Sequence, residues 1–242
     1  MVPVLELRGV SAGYGPFHAL FDVDLQVGAG EAVALLGPNG VGKTTVARVA
    51  SGLVSPTGGA VLVDGEDLAG SPPHRFARAG VAHAPEGRSV FATLTVEENL
   101  LLSFRRSKGG TAAPAAVDRG FDLFPALAPR RHQLAGTLSG GEQRMLSMAR
   151  VLVEEPKVLI ADELSLGLAP IVVDEVYESL ERLRGVGTSL LIVEQHVGHA
   201  LALCDRVVLL DRGTVSWEGA PADAAERIVT KVFERAQGGG ES

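Results

Sequence analysis

The sequence predicts an α/β fold: a mainly parallel sheet, an antiparallel β flank and an inserted helical subdomain. Three observations carry this. Apolar runs of strand length (residues 32–36, 158–161, 189–193 and 207–210) alternate with helical patterns, the mark of a parallel sheet. Short alternating segments bounded by turn residues come first and form the antiparallel flank. Between about residues 87 and 154 the pattern turns mostly helical. The expected division is a core of residues 1–86 and 155–229, a helical insert of residues 87–154 and a tail of residues 230–242.

Taken in order, residues 4–8 alternate and read as a strand. Ser11-Ala12-Gly13-Tyr14-Gly15-Pro16 reads as a turn or loop. Residues 23–27 alternate again, and Gly28-Ala29-Gly30 turns the chain into the apolar run 32–36. Residues 43–53 read as a helix, with Val46, Val49, Ala50 and Leu53 on one face. Residues 60–63 form a strand closed by Asp64-Gly65, a hairpin turn signal. Pro72-Pro73 opens a short helix and residues 80–84 form a strand. Thr95 and Glu98 form a capping box ahead of Leu100, Leu101 and Phe104. Residues 107–114, rich in Gly and Ala, read as a mobile surface loop, and helical patterns continue over 115–127. Residues 158–161 are apolar throughout, as in a parallel strand covered on both faces. A helix over 172–183 carries Val173, Val176, Tyr177 and Leu180 on one side. Residues 189–193 are a strand, 198–204 a helix, and Asp211-Arg212-Gly213 turns strand 207–210 into 214–217. Residues 237–242 read as a disordered tail.

The stretch Gly37-Pro38-Asn39-Gly40-Val41-Gly42-Lys43-Thr44-Thr45 fits the phosphate-loop pattern G-x-x-x-x-G-K-[ST]. A strand precedes it and a helix follows, so backbone N–H groups and a helix N-terminus converge on an anion. Together these read as a P-loop NTPase (RecA-like) core. Lys43 is suited to the β/γ-phosphates and the Thr44 hydroxyl to Mg²⁺. Asp162-Glu163 ends an apolar strand, on the side of an open α/β sheet where ligands bind. Asp162 is suited to hold Mg²⁺, directly or through water, and Glu163 to accept a proton from water attacking the γ-phosphate. In Leu138-Ser139-Gly140-Gly141-Glu142-Gln143, Ser139 and Glu142 form a second capping box. A hydroxyl, two glycine N–H groups and a helix N-terminus make a second anion site there. Standing alone, that stretch would read as a well-capped helix.

The 242 residues are 46% apolar and 21% charged, as in an ordinary globular protein. The net charge of −7 argues against nucleic acid as the main partner. Cys204 is a single cysteine in an apolar run and reads as a small buried hydrophobe. No basic segment followed by a long apolar core opens the chain, so no signal peptide is expected. No apolar run approaches the roughly 20 residues that span a bilayer.

With these motifs in this order, the sequence resembles the ATP-binding subunits of ABC transporters over nearly its whole length. The stretch Leu138-Ser139-Gly140-Gly141-Glu142-Gln143 is specific to that family. The resemblance implies that two subunits pack head to tail. Each ATP then lies between the phosphate loop of one and Ser139, Gly140, Gly141 and Glu142 of the other. It also implies ATP and Mg²⁺ as the small molecules bound, and Tyr14 as the ring stacked on adenine; the structural alternative is a turn tyrosine covering the core. Pro85-Glu86-Gly87-Arg88, Leu94-Thr95-Val96-Glu97-Glu98-Asn99-Leu100, Ser165-Leu166-Gly167-Leu168-Ala169-Pro170 and Val193-Glu194-Gln195 look like the ATPases of branched-chain amino acid importers. The related urea and short-chain amide importers are similar. The implied partners are transmembrane permease subunits, gripped by the surface from Glu86 to Leu94, and a second ATPase subunit, identical or related. A solute-binding protein would act indirectly. The implied location is peripheral, on the cytoplasmic face of the cell membrane.

This chain departs from the family pattern in places. Glu86 stands where most members carry the Gln that meets Mg²⁺ and water. Gln195 stands at the position of the switch histidine, with His196 one residue later, and either could contact the γ-phosphate. Leu164 and Leu168 replace the usual Pro and Asp of the dimer-contact loop. Two rival readings are weaker. Soluble ABC ATPases of ribosomes carry two units, and those of chromosomes a long coiled coil. A GTPase or small-molecule kinase lacks the Leu138–Gln143 stretch, and no Asn-Lys-x-Asp guanine-reading segment occurs here.

Overall fold

The computed structural model describes residues 2–84, 90–108, 113–195, 197–224 and 227. Its centre is a six-stranded sheet in the order β10-β9-β3-β8-β7-β6. The strands are β3 (Ala32–Leu36), β6 (Val81–Ala84), β7 (Val158–Asp162), β8 (Ser189–Glu194), β9 (Arg206–Asp211) and β10 (Thr214–Gly219). All neighbours are parallel except the edge pair β9–β10. An antiparallel sheet of order β2-β1-β4-β5 lies against it, built from β1 (Leu5–Tyr14), β2 (Phe17–Val27), β4 (Gly58–Val63) and β5 (Glu66–Asp67).

Two cores sandwich the central sheet, and strand alternation assigns each residue to one. Val33, Leu35, Ile160, Leu191 and Val208 pack with α1 (Lys43–Ala50) and the antiparallel sheet. Ala34, Leu159, Ile192 and Leu209 pack with helices α3 (Val96–Lys108), α4 (Ala113–Leu123), α5 (Gly140–Leu152), α6 (Pro170–Gly185) and α7 (Val197–Leu203) on the other face. This two-sided burial is why β3, β7 and β8 read as continuous apolar runs. Cys204 is buried on the helical side, and burial pushes its thiol up to about 11. Among the described residues no helix is long and apolar enough to cross a membrane.

The antiparallel strands are longer than their alternation predicts. The expected loop at 11–16 is strand except for the turn at Gly15-Pro16. Register shifts between Leu7 and Gly13 mark bulges, with Gly9 at φ 58°. At Gly13 a Cβ would fall 2.2 Å from Phe17 O, so the strands meet too closely there for any side chain. Glycines inside a strand mark bulges or close approach as readily as turns, and here they do.

Helix α1 stops at Ala50, short of the expected residue 53. Gly52 at φ 73° ends it in the left-handed conformation, and Leu53 is exposed. Between residues 96 and 152 every element is helical, as expected of the insert. Its inner boundaries differ, however. Helix α3 takes in residues 107–108 and α4 residues 113–114, leaving only 109–112 of the expected loop outside the described residues. Pro125 closes α4, and residues 125–130 are a 3₁₀ turn rather than more α-helix. The capping box at Thr95 and Glu98 forms, with Thr95 N donating to Glu98 at 2.8 Å and Glu98 N to Thr95 Oγ1 at 3.2 Å. The expected tail at 237–242 also lies outside the described residues.

Helix α2 (Pro73–Ala79) anchors through Phe76, whose ring fills the space where a Cβ on Gly52 would stand, 2.4 Å away. Phe76→Ala leaves a void there and is expected to lower the unfolding free energy by about 3–5 kcal/mol. Urea denaturation at constant m-value measures it. Gly52→Ala is expected to destabilise as well, by driving a methyl into the ring.

Candidate active site

The site gathers at the carboxyl ends of β3, β7 and β8. The phosphate loop leaves β3 and enters α1 through Gly42, which stands at φ 107° as the N-cap. A Cβ on Gly42 would lie 2.8 Å from Ala19 O, and one on Gly37 2.4 Å from Leu210 O. Neighbouring backbone thus presses on the loop from two sides, and only glycine fits at either end of it. Gly213 N donates to Val41 O at 2.9 Å and braces the loop from the β9–β10 turn. Pro38, Asn39 and Gly40 face solvent; Thr45 is buried beneath them.

Lys43 folds back into the loop. Its Nζ donates to Gly37 O at 2.8 Å and Pro38 O at 3.0 Å, and lies 3.9 Å from Glu163 Oε1. Burial pushes its pKa below the ordinary lysine value, while Glu163, Asp162 and Glu194 pull the other way. Asp162 is 2% exposed, and the Thr44 hydroxyl reaches its Oδ1 at 3.5 Å. A hydroxyl and a carboxylate side by side are hard oxygen donors of the kind Mg²⁺ takes, with phosphates and water completing its shell. On the far side of Asp162, His83 Nε2 lies 3.8 Å from Oδ2.

Glu163 turns the chain at φ 48°, with its N–H donated to Val193 O at 2.8 Å. That left-handed turn, rare for a side-chain-bearing residue, directs its carboxylate toward Lys43. Its carbonyl accepts from Arg144 Nη2 of α5 at 3.4 Å. Glu194, fully buried at the end of β8, accepts from Ser165 N at 3.1 Å and Ser165 Oγ at 2.9 Å. Burial, followed by the Glu194 charge and hydrogen bond, raises the Tyr177 hydroxyl above its ordinary range. Leu164 is buried in the helical-side core, in keeping with an apolar residue there.

Ser139 caps α5, and the capping box is complete. Its Oγ accepts from Glu142 N at 3.2 Å, and Glu142 Oε2 accepts from Ser139 N at 2.8 Å. A Cβ on Gly141 would meet Val172 at 3.1 Å, so the glycine lets α6 pack close. Ser139 is exposed. Among the described residues no hydrogen bond or ion pair joins Ser139, Gly140, Gly141 or Glu142 to the phosphate loop of the same chain. Tyr14 ends β1 at 43% exposure, so it does not cover the core, and its hydroxyl accepts from Arg48 Nη1 at 3.3 Å. Gln195 is half-buried just beyond β8; Glu86 and His196 lie outside the described residues.

The structure therefore brings together Lys43, Thr44, Asp162 and Glu163, and holds the Ser139–Glu142 cap apart from them. Sequence reasoning passed over His83, Arg144 and Glu194. Glu194 had a signal: like Asp162 it is an acid at the carboxyl end of an apolar strand. Arg144 had another, a cation on the apolar face of α5 beside Met145 and Met148.

The profile described as ABC transporter matches residues 20–165. The chain belongs to the ABC transporter family. It is an ATP-binding cassette, an ATPase whose hydrolysis is coupled to transport. Over 213 residues it is 42% identical to the high-affinity branched-chain amino acid transport ATP-binding protein BraG of Pseudomonas aeruginosa, covering 88% of this chain and 91% of that one. It is 36% identical to the probable branched-chain amino acid transport ATP-binding protein LivF of Archaeoglobus fulgidus, over 96% and 97% of the two chains. The lipopolysaccharide export ATP-binding protein LptB of Escherichia coli is 33% identical over 90% and 91%. A solved ATP-binding subunit of an ABC transporter superposes with a TM-score of 0.82, at 30% identity over 93% of each chain.

The Ser139 cap gives this ABC ATPase a measurable contribution to stability. Ser139→Ala is expected to lose about 1 kcal/mol of it. The Ser139 N–H, with further help from Arg130, holds the Glu142 carboxyl below its ordinary value of 4.5. A group depressed in the folded state stabilises above its unfolded pKa and loses that contribution as pH falls through the folded one. Glu142→Gln is therefore expected to melt below the native protein at pH 7, with the gap closing below pH 4.5. Thermal unfolding from pH 7 into acid checks both.

Proposed function

We propose that this ABC ATPase is the energy-coupling subunit of an importer for branched-chain amino acids. The similarity to BraG, at 42% identity over 88% of the chain, supports the cargo. The similarity to LptB supports a second reading, a cassette serving a lipopolysaccharide exporter. No residue of an ATPase subunit need touch the cargo, so the motor can be alike across different loads.

The geometry around Lys43 and Asp162, with the family resemblance, supports the following roles. Lys43 and the loop from Gly37 to Thr45 bind the triphosphate. Thr44 and Asp162, joined in this reading by Glu86, hold Mg²⁺, which when bound neutralises charge on the β- and γ-phosphates. Glu163 accepts a proton from the attacking water. Gln195 contacts the γ-phosphate through its amide N–H, with His196 the alternative. Tyr14 stacks on adenine. Ser139, Gly140, Gly141 and Glu142 close over the ATP of a second subunit, a copy or a close relative. The domains in this reading are the core of residues 1–86 and 155–229, the insert 87–154 and the tail 230–242. The insert grips permease subunits near Glu86 to Leu94, which keep the ATPase peripheral on the cytoplasmic side.

The single observation that carries the hydrolytic reading is Lys43 Nζ within 3.9 Å of Glu163, next in sequence to the paired Thr44 and Asp162. Glu163→Gln is expected to lower kcat at least 100-fold while ATP binding persists, and Lys43→Ala to lose binding. Equal kcat for native and Glu163→Gln would remove Glu163 from its role. Comparing Gln195→Ala with His196→Ala decides the switch residue; a much larger loss in the second assigns it to His196. For the cargo, deleting the gene in its host is expected to cut uptake of labelled leucine, isoleucine and valine severalfold. Unchanged uptake with a defective outer envelope would favour the exporter.

A further inference from the structure

His83 Nε2 is the one buried side-chain polar atom without a hydrogen-bond partner among the described residues. The ring is more than nine-tenths buried, at 8% exposure. Its Nδ1 lies 3.0 Å from the hydroxyl of Ser51, just past the end of α1. Its Nε2 faces Asp162, 3.8 Å from Oδ2, while Oδ1 of the same carboxylate is the oxygen beside Thr44. The other β6 residues, Val81, Ala82 and Ala84, are apolar. An apolar side chain could occupy this place without stranding a nitrogen. Buried polar groups elsewhere in a native core are satisfied, so this one calls for a cause.

Resting on the reading of Asp162 as the metal-holding carboxylate, we propose that His83 is its positioning residue. The Nε2–H faces Oδ2 of Asp162 from 3.8 Å, beyond hydrogen-bond length, and closes onto it when Mg²⁺ is bound, which keeps Oδ1 turned toward Thr44. The Ser51 hydroxyl also lies 2.9 Å from Ala47 O and 3.2 Å from Arg48 O; in the proposed arrangement its proton turns to Nδ1 and the ring hydrogen sits on Nε2. Helix α1 then meets Asp162 twice. Thr44 reaches it from the first turn, and Ser51 reaches it through the imidazole from the other end. With Oδ2 engaged in the loaded site, the carboxylate is held against rotating to present both oxygens to a cation or turning away from it. Outer partners of metal ligands act in this way, by orienting the ligand.

Titrating the purified protein with Mn²⁺ in the presence of a non-hydrolysable ATP analogue, followed by electron paramagnetic resonance, tests this without turnover. His83→Leu is expected to weaken Mn²⁺ binding about tenfold or more. His83→Gln, whose amide nitrogen can stand near the Nε2 position, is expected to stay within about threefold of native. Asp162→Asn is the control and is expected to weaken binding at least as much as His83→Leu. Native affinity in His83→Leu with loss in Asp162→Asn overturns the role of His83 and leaves Asp162 in place. Native affinity in both overturns both. Nitrogen coupling from a directly bound imidazole in the Mn²⁺ spectrum overturns the positioning role as well. If His83→Leu does not fold, Ser51→Ala, which frees the ring, is read instead. A weakening of about threefold supports the proposal and native affinity overturns it.

Discussion

A carboxylate buried at the end of an apolar strand is the constraint from which the site follows. Val158, Leu159, Ile160 and Ala161 are wholly buried, and Asp162 comes next at 2% exposure. A charge in such a place is unfavourable unless it has partners. Strands β6 and β8 pin β7 on both sides, so the partners have to come to Asp162. Thr44 arrives from α1, and Lys43 brings a positive charge alongside. For α1 to start there, the chain has to leave β3 by a route crowded by Leu210 O and Ala19 O, and the glycines of the loop permit that route. Strand, loop and helix are thus consequences of where one acid must sit.

Much of this was legible in the sequence because the signals were local and mutually consistent. The phosphate-loop spacing, the apolar run before Asp162 and the Ser139–Glu142 cap each announce a short-range geometry, and each geometry forms. The errors share a cause too. Gly13 read as part of a loop because a glycine looks the same whether it serves a turn or a close approach of strands; only the partner strand tells them apart. The end of α1 was misread through Leu53, whose spacing suits the apolar face but whose backbone lies beyond Gly52. His83, Arg144 and Glu194 stayed hidden because their partners, Ser51 and Asp162, Glu163 and Ser165, are 19 to 79 residues away in sequence and belong to other elements.

The cap at Ser139 poses a different question. The cap is satisfied internally, through Ser139 and Glu142, yet the serine stays open to solvent, and among the described residues no hydrogen bond joins it to the phosphate loop of its own chain. The first site lies behind its loop, with Lys43 buried and Pro38, Asn39 and Gly40 outward. Each surface is shaped by its own elements and finished on one side only. A pair of chains set face to face would use both, and the family relationship makes that arrangement the natural one to test.

Arg144 is rooted in α5, one helical turn beyond the glycines that follow Ser139, and its guanidinium ends on the carbonyl of Glu163. That carbonyl belongs to a residue already bent into the left-handed region, with little slack in its backbone. Through this link a tilt of α5 would reach the peptide that carries the Glu163 carboxylate, so the helical layer and the strand end share one polar connection.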